Sequence, residues 1–224
     1  MKVNEIFTSI DGEGIRTGYP VIFIRLFGCT LRCTYCDSMY ACVGDDYKEM
    51  TVEDIILAVN EEREKYDISK ITLTGGEPLM HYPEVYDLIN ALTDNEYEVN
   101  IETNGNVSLE ELEQRATDRD NIIVTMDWKS MSSGMSDYML PHNLDLLKEQ
   151  DVLKFVVGTD EDLNQMEDVI TQYPELKCSK FASPIFGQIP PCQIVKFILD
   201  HKLSDVRMQL QIHKYIYDPN ARGV

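Results

Sequence analysis

Short β-branched runs alternate along this chain with longer segments in which apolar residues recur at helical spacing, the pattern of parallel strands joined by crossover helices. Strands are predicted over residues 21–27, 70–73, 98–102, 122–126, 152–157 and 180–182. A further run, 206–212, alternates outward charge with Met208, Leu210 and Ile212. Thr51 with Asp54 three residues on reads as a capping box, opening a helix whose Val52, Ile55, Ile56 and Val59 share one face. Pro83 can start the next helix, through Leu92, from a first-turn site where its missing N–H costs nothing. Later helices are predicted over 109–116, 143–149, 163–172 and 193–201. About six strand–helix units are too few to close an eight-unit barrel of ~250 residues. The expected α/β architecture is an open, partial (βα)6 TIM-like barrel, with residues 1–224 forming one domain. Residues 131–141 carry no periodicity and are expected to form a surface loop or a mobile lid.

Charge narrows the function classes. Twenty Lys and Arg stand against 39 Asp and Glu, a net charge of −19 that would repel a phosphate backbone, so no nucleic-acid partner is expected and a small-molecule substrate is. Much of the acidity lies on predicted helices, at Glu61, Glu62, Glu64, Glu110, Glu111 and Glu113, and reads as solvated surface. No apolar stretch approaches the ~18 residues of a membrane span. Residues 1–20 show no apolar signal-peptide core, so a reducing, cytoplasmic setting is expected.

Chemistry concentrates in one loop. Cys29, Cys33 and Cys36 are spaced C-x3-C-x2-C directly after the first predicted strand. Three thiolates so spaced can wrap three corners of a 4Fe–4S cube, whereas such clusters ordinarily take four protein sulfurs, and one iron would be left open to a ligand. Structural zinc is the alternative, but it needs four closed ligands and no second pair of similar spacing follows. Cys42, Cys178 and Cys192 are scattered, and the spacing of Cys42 suits no fourth ligand. Thr74-Gly75-Gly76-Glu77-Pro78 follows the second predicted strand, Glu102-Thr103-Asn104-Gly105 ends the third and Asp127-Trp128-Lys129 ends the fourth. In parallel βα folds, ligands gather at such strand ends.

The cysteine loop followed one unit later by Gly-Gly-Glu-Pro resembles the radical S-adenosylmethionine superfamily. The resemblance implies a barrel of that type, with a 4Fe–4S cluster on Cys29, Cys33 and Cys36 and S-adenosylmethionine chelated by the open iron. It further implies cofactor contacts from Tyr35, Gly75, Gly76, Glu77, Thr103, Asn104, Asp127, Trp128 and Lys129. Glu77 is expected to receive the methionine ammonium, and the two glycines to let backbone approach the ligand.

The amino-terminal run from Glu5 to Gly14, the strand Val21-Ile22-Phe23-Ile24-Arg25-Leu26, Cys36-Asp37-Ser38 and the ending Gln211-Ile212-His213-Lys214-Tyr215 resemble the 7-carboxy-7-deazaguanine synthase family over almost the whole chain. That likeness implies radical ring contraction of 6-carboxy-5,6,7,8-tetrahydropterin, begun by hydrogen abstraction at C6 and losing ammonia. It also implies Mg2+ held through Ser38, a flavodoxin or ferredoxin as electron donor, and a homodimer. The implied substrate contacts are Ile10, Asp11, Gly12, Glu13, Arg25 and Thr74. Arg25 has a physical warrant of its own, because a charge in an otherwise apolar strand is costly unless it has a partner or a task. The family usually has Gln where this chain has Asp11, which adds a negative charge beside an anionic substrate. Of the four histidines, His213 in the terminal run is the one expected to reach the pocket, and His81, His142 and His201 read as structural or surface residues. The alternatives are a glycyl-radical-enzyme activase and a non-catalytic iron–sulfur interaction protein.

Overall fold

The computed structural model describes residues 1–224. Its strands are β1 (Lys2–Ile10), β2 (Pro20–Leu26), β3 (Lys48–Glu49), β4 (Lys70–Gly75), β5 (Glu98–Thr103), β6 (Ile122–Trp128), β7 (Val152–Val157), β8 (Ser179–Pro184) and β9 (Val206–Met208). The helices are α1 (Val52–Tyr66), α2 (Glu84–Asp94), α3 (Glu110–Arg115), α4 (Asp160–Gln172), α5 (Pro191–Asp200) and α6 (His213–Ile216). One sheet runs in the order β3-β1-β2-β4-β5-β6-β7-β8-β9. From β2 onward every neighbouring pair is parallel, whereas β1 folds back antiparallel on β2 and carries β3 on its far edge. The ends do not meet, so the barrel is open, as its size required. No helix is long and apolar enough to cross a membrane.

Helices form where the sequence gives them an apolar face and a start. Thr51 accepts from the Asp54 amide while Asp54 caps Thr51 in return, and Thr159 with Asp162 repeats the device at α4. Along α2, Val85, Leu88, Ile89 and Leu92 are fully buried in the same cluster as Ile71, Leu73 and Ile101 of the sheet. Each such side chain contributes roughly 1.5–3 kcal/mol by leaving water. Pro83 serves as N-cap rather than as a first-turn residue.

Three expectations are corrected. β1 was not foreseen as a strand, because its alternation Val3, Glu5, Phe7 mixes charge with apolar residues along the edge of the sheet. Residues 143–149 do not form an α-helix; a 3-10 turn spans Pro141–Leu146. The buried Asn143 carboxamide instead receives the Leu109 amide at 2.9 Å and donates to the carbonyls of Gly105 and Val107, securing the entry to α3. The terminal strand stops at Met208 rather than running to Ile212. The buried Gln209 turns its side chain to the Gly14 amide and the Ser183 hydroxyl, and the Ile212 amide reaches the Gly12 carbonyl.

The barrel interior is polar where closed barrels are filled with apolar layers. Thr72, Asn100 and Thr125 are buried there, with the Thr125 hydroxyl donating to Asn100 Oδ1 at 2.8 Å. Arg16 plugs the lower end, donating to the carbonyls of Ile71 and Glu98 and to the Thr72 hydroxyl. Room for a ligand is thus left above that plug, at the carboxyl ends of the strands.

Candidate functional site

A cleft of about 550 Å³ opens at those ends, within the roughly 300–1,000 Å³ typical of small-molecule sites. Cys29, Cys33 and Cys36 all line it, each half-buried and free of disulfide bonds. The Cys29 sulfur accepts from the Leu31 amide at 3.4 Å and from Asn104 Nδ2 at 3.6 Å, the kind of N–H···S contact that supports an anionic sulfur. Cys42 stands beside them, its sulfur 4.0 Å from that of Cys36. Hydrogen bonding with the Cys42 thiol is the largest influence lowering Cys29 and Cys36, and its one S–H serves one of the two sulfurs at a time. Three half-buried thiols on one loop, with N–H donors on Cys29, fit the iron cluster implied by their spacing. No three His, Cys, Asp or Glu side chains converge on a single-ion site.

The loop after β4 fits against the cysteine loop with no space between backbones. A Cβ at Gly75, whose φ is +146°, would lie 2.1 Å from the Leu26 carbonyl oxygen, and one at Gly76 would lie 1.9 Å from that of Gly28. The amides of Gly76 and Glu77 donate to those same two carbonyls. Gly75 and Gly76 line the cleft and also let the two loops dock.

Glu77 lies behind the surface of the cleft. Its side chain is fully buried and does not line the cleft; it accepts from the Leu79 amide at 3.0 Å, the Thr103 hydroxyl at 2.9 Å and the Asn104 amide at 2.7 Å. It ties the end of β5 to the loop after β4, with two donors on Oε1 and one on Oε2. Burial pushes its carboxyl up to about 7, against the pull of the three donors. Trp128 also lies behind that surface. Alternate residues of β6 face opposite ways, so Asp127 and Lys129 line the cleft while Trp128 packs in the hydrophobic core behind it. Tyr35, Thr103 and Asn104 line the cleft, and the buried Tyr35 hydroxyl has no protein partner.

The other half of the cleft is built by β1, β2 and the chain's ending. Ile10, Asp11, Gly12, Glu13, Arg25, Ser38 and Thr74 all line it. Arg25 gives its Nε to Glu5 at 2.7 Å, and its two terminal nitrogens have no protein acceptor. Glu13 receives Lys154 on Oε2 at 2.5 Å, and its Oε1 is buried without a partner. The Thr74 hydroxyl donates to Glu102 Oε2 at 2.7 Å. Ser38 Oγ lies 3.8 Å from the Cys36 sulfur. Asp11 does not add a free charge: it is buried, paired with Arg16 Nε at 2.9 Å and accepts from the Thr72 hydroxyl at 2.8 Å. Its carboxylate belongs to the plug at the lower end of the cleft.

Sequence reasoning missed Lys154, Glu102, Tyr40 and residues 218–224, all of which line the cleft. Lys154 carried the signal that identified Arg25, a lone charge inside Val152–Val157, and was passed over. His213 does reach the pocket, but from the short helix α6 rather than a strand, and a Cβ at Gly12 would lie 1.9 Å from its Nδ1. Burial pushes the His213 imidazole below its usual value, so it is neutral near pH 7. Lys214 pairs with Asp37 at 2.8 Å, and residues 218–224 line the cleft. The 131–141 segment is held down: Thr34 of the cysteine loop donates to the carbonyls of Ser132 and Ser133.

Residues 23–133 match the Radical SAM superfamily. A 7-carboxy-7-deazaguanine synthase of Clostridium acetobutylicum is 42% identical, over 100% of this chain and 99% of its own. One of Methanospirillum hungatei is 41% identical over 96% of this chain and 85% of its own, and one of Chlorobaculum tepidum is 35% identical over 100% and 97%. Among solved structures, QueE from Escherichia coli superposes with a TM-score of 0.73 at 23% identity, covering 93% of this chain and 92% of that one. Streptococcus suis SuiB bound to S-adenosylmethionine gives 0.64 at 12% identity, over 85% of this chain and 49% of that one. These two likenesses establish the fold.

Proposed function

We propose a substrate and a reaction from one premise: this chain belongs to the 7-carboxy-7-deazaguanine synthases, a family of radical S-adenosylmethionine enzymes that use a 4Fe–4S cluster. Its reaction is the conversion of 6-carboxy-5,6,7,8-tetrahydropterin into 7-carboxy-7-deazaguanine with loss of ammonia. The observation that carries this reading is a pair of unfilled valences in one cleft. The buried Oε1 of Glu13 lacks a donor and the two terminal nitrogens of Arg25 lack an acceptor. A pterin offers amino and ring N–H groups to the first, and its carboxylate suits the planar fork of the second.

Cys29, Cys33 and Cys36 would hold three irons, leaving the fourth for the cofactor. When bound, the cluster and S-adenosylmethionine supply a 5'-deoxyadenosyl radical, which is the hydrogen-abstracting agent. Around them Gly75, Gly76, Tyr35, Thr103 and Asn104 would form the cofactor wall, with Asp127 and Lys129 at its base. Ser38 would give Mg2+ one hard oxygen, with water and substrate oxygens completing a shell that this ion commonly leaves partly hydrated. Residues 218–224 and His213 would shield the substrate end from water. The electron would come from a flavodoxin or ferredoxin, and the chain would act as a cytoplasmic homodimer.

The test is anaerobic turnover of the reconstituted, reduced enzyme with the tetrahydropterin and mass detection of the deazaguanine acid. Cys33→Ala should lose iron and S-adenosylmethionine cleavage together, whereas Ser38→Ala should keep the cluster and weaken the dependence on magnesium. Cleavage by Cys33→Ala under strict reduction would sink the cluster assignment. Cleavage by the wild type without any pterin product would sink the substrate.

A further inference from the structure

The interior of β7 carries one charge that the proposed reaction does not yet use. Lys154 stands among Val152, Leu153, Phe155 and Val157, all buried, and is itself buried. Its ammonium lies 2.5 Å from Glu13 Oε2 and 3.1 Å from Asp127 Oδ1, and Asp127 Oδ2 receives Lys129 at 2.6 Å. The four residues form a line of alternating charge, from the cysteine loop side of the cleft to the substrate side. Burial works against the Lys154 ammonium, but Asp127, Glu13 and Glu102 outweigh it and hold the charge. Burial likewise pushes Asp127 upward, and the two lysines overcome it to keep the carboxylate ionised.

Glu13 depends on this contact. It lies on the turn after β1, between Gly12 and Gly14, and Lys154 is its one protein hydrogen-bond partner. With Oε2 occupied, the remaining oxygen is buried without a partner on a residue that lines the cleft. A carboxylate buried to this degree and stripped of its ion-pair partner would swing towards water. That change removes an acceptor from the pterin N–H groups.

We infer that Lys154 is a positioning residue: one ammonium fixes Glu13 as the pterin acceptor and ties it to Asp127 at the S-adenosylmethionine end, so that the two half-sites are set together. The inference rests on the substrate reading above and adds a residue to it.

The experiment is a double-mutant cycle on reconstituted holoenzyme with wild type, Lys154→Met, Lys154→Arg, Glu13→Gln and Glu13→Gln combined with Lys154→Met. The dissociation constant of the tetrahydropterin is measured calorimetrically on unreduced enzyme, which cannot turn over. The amount of 5'-deoxyadenosine per product is measured after reduction. Lys154→Met should weaken binding at least about tenfold, and Lys154→Arg should recover part of that loss. In the Glu13→Gln background the same substitution should change affinity by less than about twofold, because the group it acts through is already gone. The 5'-deoxyadenosine formed per product should rise in Lys154→Met, as the half-sites lose their common anchor. A general loss of positive charge or of packing would add in full on Glu13→Gln, and that result overturns the inference. So does a Lys154→Met enzyme with unchanged affinity and ratio. Iron content and circular dichroism establish that each variant is loaded and folded; if Lys154→Met is not, the loss in Lys154→Arg is compared across the two backgrounds instead. A wild type that cleaves S-adenosylmethionine yet does not bind the tetrahydropterin sinks the substrate reading itself. Wild-type binding with an indifferent Lys154→Met sinks only the role of Lys154.

Discussion

Gly12 and Gly76 both lack room for a methyl group, but they crowd different things. At Gly12 the obstruction is the far end of the His213 side chain, which can rotate away; at Gly76 it is the carbonyl oxygen of Gly28, fixed by its hydrogen bond from the Glu77 amide. Gly12→Ala should therefore fold with little loss of stability and lower turnover by displacing His213 from the cleft. Gly76→Ala should cost about 3 kcal/mol, because a fixed backbone cannot yield to overpacking, and should lose iron. Thermal unfolding and iron content check both; equal stability in the two variants would show that the docking of the two loops is looser than described. The same residues show what a local pattern can convey. Arg25 was legible because a lone charge in an apolar strand needs a partner, and Lys154 carries the same mark. Glu77 was not, since nothing in Gly-Gly-Glu-Pro says that its carboxylate turns inward to the Leu79 and Asn104 amides. The inward packing of Trp128 was legible in principle, since alternation from Asp127 puts it on the opposite face of β6.

Elements divide between those started by their own residues and those held by distant ones. The capping box of α1 is local, exposed and remote from the cleft, so Thr51→Ala should cost about 1 kcal/mol and lower the melting temperature by roughly 2–4 °C, with turnover unchanged. The box of α4 has a second duty. Asp162, beyond capping Thr159, accepts from the Gly158 amide at 2.8 Å and from the Ser132 amide at 2.9 Å. The Ser132 and Ser133 carbonyls in turn brace Thr34 between Cys33 and Cys36. Asp162→Ala leaves several donors unmet, so it should cost about 2–3 kcal/mol and shorten the time the reconstituted protein retains iron. Iron release equal to that of Thr51→Ala would show that this brace is idle. This division also explains the legibility of the fold. Strands β4 to β8 and helices α1, α2, α4 and α5 follow from period and caps. β1, the 3-10 turn at Pro141–Leu146 and the ending after Met208 take their shape from partners tens to hundreds of residues away, such as Gln209 on Gly14. No window of sequence holds both halves of such a contact.

Across the whole molecule, the plug beneath the cleft sets a pH dependence whose sign can be worked out. Burial raises the Asp11 carboxyl from 3.8 to about 6, although Arg16 and the Thr72 hydroxyl pull the other way. In the unfolded chain the group returns to its ordinary value, so between about pH 4 and 6 the folded state binds the extra proton. The contribution of Asp11 to stability is therefore fully present below about pH 4, is lost as pH rises through 6, and is flat above that. Other carboxylates titrate in the same range, and Asp11→Asn serves as the reference that removes this one alone. The melting temperature of the wild type minus that of Asp11→Asn should fall as pH rises from 4.5 to 7.5, with most of the change complete by about 6.5. Its absolute sign is set by how well the amide replaces the carboxylate on Arg16 and Thr72; its slope is set by the proton. A difference that rises with pH would mean that Arg16 holds the carboxyl below its ordinary value. The ion pair would then outweigh burial, and Asp11 would anchor the open barrel at neutral pH as a net stabilising charge.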